Sequence, residues 1–436
     1  MGLGANRVTG LGGILERSIT GVKLLGSGGR QPCNRRRRLG IFATAPPIPK
    51  EFFVPKLAPW IAILAVVAPA SAQTTTALTK PDAEFAESFS RLTSLREMAS
   101  GKVLVSDLQD KVVQLIDFAT GSLTKVGREG QGPGEYGLPG GLYSMPAGET
   151  WLNDMLGRRF LVIGPDGKPG KSVPLPGTGN GPGLVMGMSG GGTDGSGKFY
   201  FQAPPFNLQN PDGQAPDSLA LLRWDPVKAL IDTVGWMKGP TGSVNTTSSG
   251  GNTRFSIRLG GGKEFAPQDA WGVAADGAVA RVTPNPYRVV WYAGGKASLG
   301  TTVPYTPLKV TDEDKKQLIE ARKKARPMFV TIGGPGGRGN AGAGNIQLPD
   351  PEFEDTKPPF TGSNSVLVTP EGEVWVLRTR VASDKTPSYD VFDRTGKLIR
   401  KVTLNENSRV AGFGKGTVYV IRTDEDDLQY LQRYRR

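Results

Sequence analysis

The chain of 436 residues contains no histidine. A Ser-His-Asp relay therefore cannot be built from it, and a zinc site would lack its commonest nitrogen ligand. Cysteine is almost as scarce, with Cys33 as the only one. Because Cys33 lies ahead of an apolar run that reads as an export signal, the processed chain would hold none. Disulfides are then excluded, and the hydrophobic core must carry stability alone. The apolar run itself, Leu57 to Ala68, is too short to span a bilayer, which takes about 20 residues. No cysteine follows it to accept a lipid.

Positive charge is concentrated at the start of the chain. Residues 1–56 hold ten Lys or Arg against Glu16 and Glu51, which accounts for +8 of the formal net charge of +13. Lys56 precedes the apolar run and Pro69-Ala-Ser-Ala72 follows it, an arrangement expected of a signal peptide cut before Gln73. Some fifty residues ahead of a signal are unusual. A twin-arginine signal on Arg35 to Arg38 would be separated from the apolar run by a long proline-containing spacer. The preferred expectation is that translation starts at Val54, that 1–53 is a mis-translated, disordered leader, and that 54–72 is the signal. Lys50-Glu51 can be encoded as a ribosome-binding sequence. Arg35 to Arg38 would then contact neither nucleic acid nor membrane, as a basic patch would otherwise suggest.

The remainder, 73–436, repeats. A turn glycine followed by an alternating strand begins at Gly101, Gly148, Gly197, Gly277, Gly372 and Gly416. Three of the five spacings fall in the roughly 40 to 50 residues of a four-stranded propeller blade. The two longer gaps hold insertions, the larger at 304–360. A second strand with its own glycine turn follows most copies, as in Arg159 to Gly167 and Tyr389 to Gly396. The predicted fold is all-β, a six-bladed propeller of four-stranded antiparallel blades with one short helix in an insertion. The last unit ends one strand short at Arg436. Glu84 to Phe89, which alternates ahead of the first unit, is expected to cover that edge and close the ring.

The connector Gly127-Arg-Glu-Gly-Gln-Gly-Pro-Gly-Glu-Tyr136 resembles the Gly-x-Gly-Pro-Gly-Glu-aromatic signature of exported six-bladed propellers related to NHL-repeat proteins. Gly372 to Trp375 and Tyr389 to Asp393 resemble that family's penultimate blade. The resemblance covers both ends of the mature chain, while 176–360 departs from it by insertion. It implies architecture rather than activity.

Strand order assigns two rims. The short A–B and C–D turns share one, and the B–C loops and blade connectors share the other, where the chain is longest and where binding is expected. Six arginines are expected on this long-loop face: Arg128, Arg158, Arg281, Arg378, Arg380 and Arg422. An arginine fork suits carboxylate, sulfate or phosphate, and several around one funnel would make a positive focus. The expected function is thus non-enzymatic recognition of an anionic small molecule, peptide or glycan by an exported monomer with no cofactor.

The alternative is a calcium-dependent hydrolase or lyase. The resemblance extends to gluconolactonase-like propellers, which hold a metal with Glu, Asn and Asp, and it would nominate Asp107, Asn153 and Asp154. A structural role competes: Asp107 and Asp154 precede Lys111 and Arg158 and are expected to pair with them, tying strand B to strand C.

Other patterns carry no chemistry. Gly334 to Gly339 imitates a dinucleotide fingerprint without the helix it needs, and Gly132 to Gly137 matches by glycine abundance. Gly187 to Gly191 imitates a nucleophile elbow without a histidine, and Ser122-Leu-Thr-Lys125 lies in an outer strand. Thr311-Asp-Glu-Asp is expected to open a helix to about Ala325, packed on the rim rather than acting as a lid. Gly333 to Asn345 reads as a mobile glycine-rich loop.

Overall fold

Valine and aromatic residues recur in the second strand of every repeat, and these strands are the most deeply buried parts of the fold. Val103–Asp107 and Thr150–Asp154 are buried at every position. A computed structural model describes residues 74–176, 191–203, 217–238, 243–249, 252–258, 263–324 and 351–436. The leader, the signal segment, the Gly187 motif, Pro204–Pro216 and the glycine-rich run 333–345 lie outside the described residues.

Six antiparallel four-stranded units form the ring. Blade one runs Leu92–Glu97, Val103–Asp107, Val112–Asp117 and Ser122–Lys125. Blade two runs Pro139–Ser144, Thr150–Asp154, Arg159–Ile163 and Pro169–Pro174. Blade three is Gly191–Thr193, Phe199–Gln202, Ser218–Asp225 and Leu230–Lys238; blade four is Ala270–Val273, Val279–Pro284, Tyr287–Ala293 and Lys296–Leu299. Blade five is Val366–Val368, Val374–Leu377, Ser388–Phe392 and Leu398–Leu404; blade six begins Ser408–Gly414, Thr417–Thr423 and Gln429–Arg435. The inner strands are apolar on both faces because each blade packs between two others, whereas outer strands such as Ser122–Lys125 are largely exposed.

The fourth strand of blade six comes from the other end of the chain. Ala83 lies opposite Arg433 and Glu84 opposite Gln432, with an isolated bridge from Phe89 to Gln429. Phe85 and Phe89 are buried between blades six and one, against Leu92, Val105, Tyr419 and Leu431. Burying two phenylalanines at about 2–3 kcal/mol each is what makes so short a ladder hold. The closing strand is thus where the alternation predicts it, though its regular pairing is confined to two residues.

A second arm segment was not expected. Thr74–Leu78 adds to blade five as a fifth strand, parallel to Leu398–Leu404. The same N-terminal stretch therefore covers the outer edges of blades five and six before it enters blade one.

The turns between strands A and B and between C and D carry their glycines in the left-handed region. Gly396 shows why one such position accepts nothing larger: its φ is +75°, and an added Cβ would stand 2.6 Å from the Cα of Gly300. Within the insertion, Leu308–Lys309 pairs with Thr356–Lys357, and a helix spans Asp312–Lys324. Among the described residues no helix is long and apolar enough to cross a membrane.

Candidate functional site

The B–C turns of blades one and two are four residues long and share one design. Each opens on an aspartate and closes on a basic residue in the left-handed region, Lys111 at φ +54° and Arg158 at +52°. Asp107 accepts the amides of Gln109 (2.9 Å) and Asp110 (3.0 Å) on one oxygen and that of Arg91 (2.8 Å) on the other. Asp154 accepts the amides of Gly137 (2.9 Å), Leu138 (3.2 Å) and Gly157 (3.0 Å), and its second oxygen takes the Nε of Arg159 at 3.1 Å. The expected pairs with Lys111 and Arg158 do not form. Lys111 pairs with Glu129 instead, and the arginine on Asp154 is Arg159. The carboxylates gather backbone amides of the turn and of the incoming chain, as Asx turns do.

This arrangement also bears on calcium. Asp107 and Asp154 sit in different blades with their oxygens occupied by amides and, on Asp154, by the Arg159 guanidinium. Asn153, next to Asp154 in the strand, points to the opposite face. Its Oδ1 is buried without a hydrogen-bond partner. Among the described residues no three Asp, Glu or Cys side chains come together in a way that could hold a metal ion.

The six arginines divide by what they touch. Arg281 pairs with Asp269 at 2.7 Å and donates to the Trp236 carbonyl and the Tyr292 hydroxyl. Burial acts to lower its pKa, but Tyr292 and Asp269 outweigh it and hold it above the ordinary value. Arg378 reaches Asp390 at 2.5 Å and lies near the rings of Tyr287 (5.1 Å) and Tyr305 (4.9 Å). Asp390, 1 % exposed, also accepts the Tyr287 hydroxyl. Burial, with the Asp390 charge, drives that phenol's pKa well up. Arg380 donates Nε to the Asp384 carbonyl, and Arg422 pairs with Glu84 at 3.1 Å beneath the Tyr430 ring.

Blade two differs. Arg128 pairs with Glu135 at 2.7 Å but its side chain remains 82 % exposed. Arg158 is exposed and has no acid partner among the described residues. It lines a recess of about 400 Å³ with Gly157, Arg159, Ser172 and Pro174. A second, open cleft of about 710 Å³ is lined by Gly127, Arg128, Pro133, Gly134, Glu135, Pro169, Gly170 and Lys171.

The glycine connector shapes this second cleft. Glu135 Oε2 accepts the Gly132 amide at 2.7 Å while Oε1 holds Arg128, and these contacts keep the Glu135 carboxyl below the usual carboxylate range, the Gly132 amide contributing most. The Tyr136 hydroxyl accepts the Val113 amide, and Arg159 donates to the Glu135 carbonyl. Arg159 thus joins the connector to Asp154 of blade two. Arg159, Lys171 and Ser172 were not among the residues singled out from sequence. Arg159 adjoins one that was, but the outer-strand pair lies mid-strand on the outer edge of the blade, Ser172 opposite Leu161 and Lys171 beside it at the register shift.

The insertion helix lies against blade five, as a rim-packed helix would. Thr311 and Asp314 cap it reciprocally. Asp314 forms an ion pair with Lys357; their side chains are 5 % and 3 % exposed. Lys357 also donates to the Arg380 carbonyl at 2.8 Å, and Arg322 pairs with Glu264.

No protein-family profile matches the chain, and no curated protein matches it. Among solved structures it resembles regucalcin, a calcium-binding protein of Agrobacterium tumefaciens, at 11% identity, over 82% of this chain and 95% of that one, with a TM-score of 0.40. Virginiamycin B lyase from Staphylococcus aureus matches at 9% identity over 80% and 85%, with a TM-score of 0.33. A luciferin-regenerating enzyme matches at 11% over 81% and 95%, with a TM-score of 0.40. These likenesses are too distant to transfer a ligand or a reaction, and the architecture rests on the six sheets themselves.

Proposed function

We propose that this chain is an exported, non-enzymatic binding propeller, and that it takes an anionic group of a peptide or glycan into the recess of Gly157, Arg158, Arg159, Ser172 and Pro174. The observation that carries this reading is Arg158, an exposed guanidinium with no acid partner among the described residues, lining an open recess together with Ser172. Arg159 supports it from behind, its charge already oriented by Asp154. Arg281, Arg378 and Arg422 have their forks engaged by carboxylates, which favours blade two over the other blades. The competing calcium enzyme would need Asp107 and Asp154 to release backbone amides before they could bind a cation.

Titration calorimetry with inorganic sulfate tests the reading. Binding should weaken about tenfold or more in Arg158→Ala and fall as sodium chloride rises, because exposed charges are screened over about 8 Å at physiological ionic strength. Equal binding by wild type and Arg158→Ala would remove the site.

Export, a propeller at 73–436, a monomeric state and the absence of a nucleic-acid partner belong to the same reading. Mass spectrometry of the protein recovered outside the cytoplasm should find Gln73, cyclised or not, as the first residue. Peptides from 1–53 in native cells would contradict a start at Val54.

A further inference from the structure

The two recesses of blade two are bordered by one strand. Pro169, Gly170 and Lys171 line the larger, and Ser172 and Pro174 line the smaller. Pro169–Pro174 is the last strand of its sheet, so its outer edge has no strand partner among the described residues. The outer edges of blades five and six are treated otherwise, being covered by Thr74–Leu78 and Ala83–Glu84.

Basic residues outnumber acids along this edge: Arg128, Arg158, Arg159 and Lys171 line the two recesses against Glu135. Arg158 and Lys171 are exposed without acid partners among the described residues, and Arg128 is mostly in solvent. Glu135 is the only acid in either lining, and both its oxygens are engaged, one by Arg128 and the other by the Gly132 amide.

We propose that the ligand of this edge is an extended acidic peptide laid along Pro169–Pro174, with two acidic side chains three positions apart, and so on opposite faces of the peptide, one seated in each recess. This rests on the anion-binding reading above and adds ligand class and direction. The spacing follows from strand geometry: Lys171 and Pro174 are three residues apart, about 10 Å at a rise of about 3.3 Å per residue. A peptide suits the site better than a sulfated glycan because the free edge offers backbone donors and acceptors that only another backbone matches in register. The prolines at both ends lack an N–H, so pairing is limited to Gly170, Lys171, Ser172 and Val173. That limit fixes the register and blunts the edge against indiscriminate sheet growth.

Fluorescence anisotropy with four probes tests the proposal: an eight-residue Thr/Val peptide with glutamates at positions three and six, the same peptide with one glutamate, the two-glutamate peptide N-methylated between them, and a disulfated disaccharide. The two-glutamate peptide should bind at least about tenfold tighter than the one-glutamate peptide, since the second contact is intramolecular once the first is made. Lys171→Ala should erase that advantage while leaving sulfate binding unchanged, and N-methylation should weaken binding severalfold. The proposal is overturned if the two peptides bind equally, if N-methylation has no effect, or if the disaccharide binds tighter than any peptide. Sulfate binding that depends on Arg158 would then still stand. Sulfate binding indifferent to Arg158→Ala would overturn both.

Discussion

Replacing Asp154 by alanine is the sharpest perturbation of the blade-two rim. Its side chain is fully buried and accepts three amides and one guanidinium nitrogen. The amides of Gly137 and Leu138 sit in buried residues, and each would lose its acceptor at about 1–3 kcal/mol. Arg159, with its side chain 20 % exposed, would lose its counter-ion but can turn partly to water. The costs are not additive, so a total of about 3–5 kcal/mol is expected, in line with breaking a buried pair. For a chain of this size that corresponds to a fall of roughly 4–7 °C in melting temperature. Asp154→Asn keeps an oxygen for the amides but replaces the acceptor of Arg159 by an NH2 group and removes the charge, so it should cost about 1–3 kcal/mol, less than alanine. Differential scanning calorimetry of the two variants, with and without calcium, reads both quantities. The account of Asp154 as an amide collector fails if Asp154→Ala melts within about 1 °C of wild type. It also fails if calcium raises the wild-type transition by several degrees and leaves the variant unmoved, the behaviour expected of a metal ligand.

Three further outcomes are expected. Deleting Asp82 to Arg91 should lower the melting temperature and drive association in size-exclusion chromatography, because Phe85 and Phe89 leave the core and the edge of blade six is bared. Glu84 titrates low: burial pushes its pKa up, but hydrogen bonds from Arg422 and Gln432 outweigh this and bring it below the ordinary value of about 4.5. Its folded pKa lies below the unfolded one, so its contribution is present above about pH 4.5 and lost as pH falls through the folded value. The melting temperatures of wild type and Glu84→Gln should converge only in acid. Lys357→Met should strand the Asp314 carboxylate against an apolar neighbour at about 3–5 kcal/mol and expose the 304–360 insertion to limited proteolysis, with the propeller fragments surviving.

Much of the fold is legible in the sequence because its repeat is local. A turn glycine followed by an alternating strand marks strand B of every blade, and the missing strand of the last unit points back to Glu84 and Phe89. Thr74–Leu78 is not legible, since three threonines and an exposed face give no alternation, and its partner lies over three hundred residues away. The rim is legible only in part. Sequence places Asp107, Asp154 and Arg158 at the B–C turns, but the nearest basic residue in the chain is not the one each carboxylate uses. A left-handed residue at the end of a four-residue turn carries its side chain away from the aspartate that opens the turn, so backbone amides and Arg159 take its place. Lys171 and Ser172 come to these recesses by lying on the outer edge strand of the blade, which no local pattern in an exposed outer strand reveals.

Anomalous diffraction from crystals soaked in selenate locates the anion by itself. If Arg158 holds the anion, a selenium peak lies in the recess of blade two, within hydrogen-bonding reach of Arg158 and Ser172 in wild type and missing in Arg158→Ala. A peak at the Arg378 or Arg422 positions instead, or an empty blade-two recess at an occupancy that fills lattice sites, would contradict it.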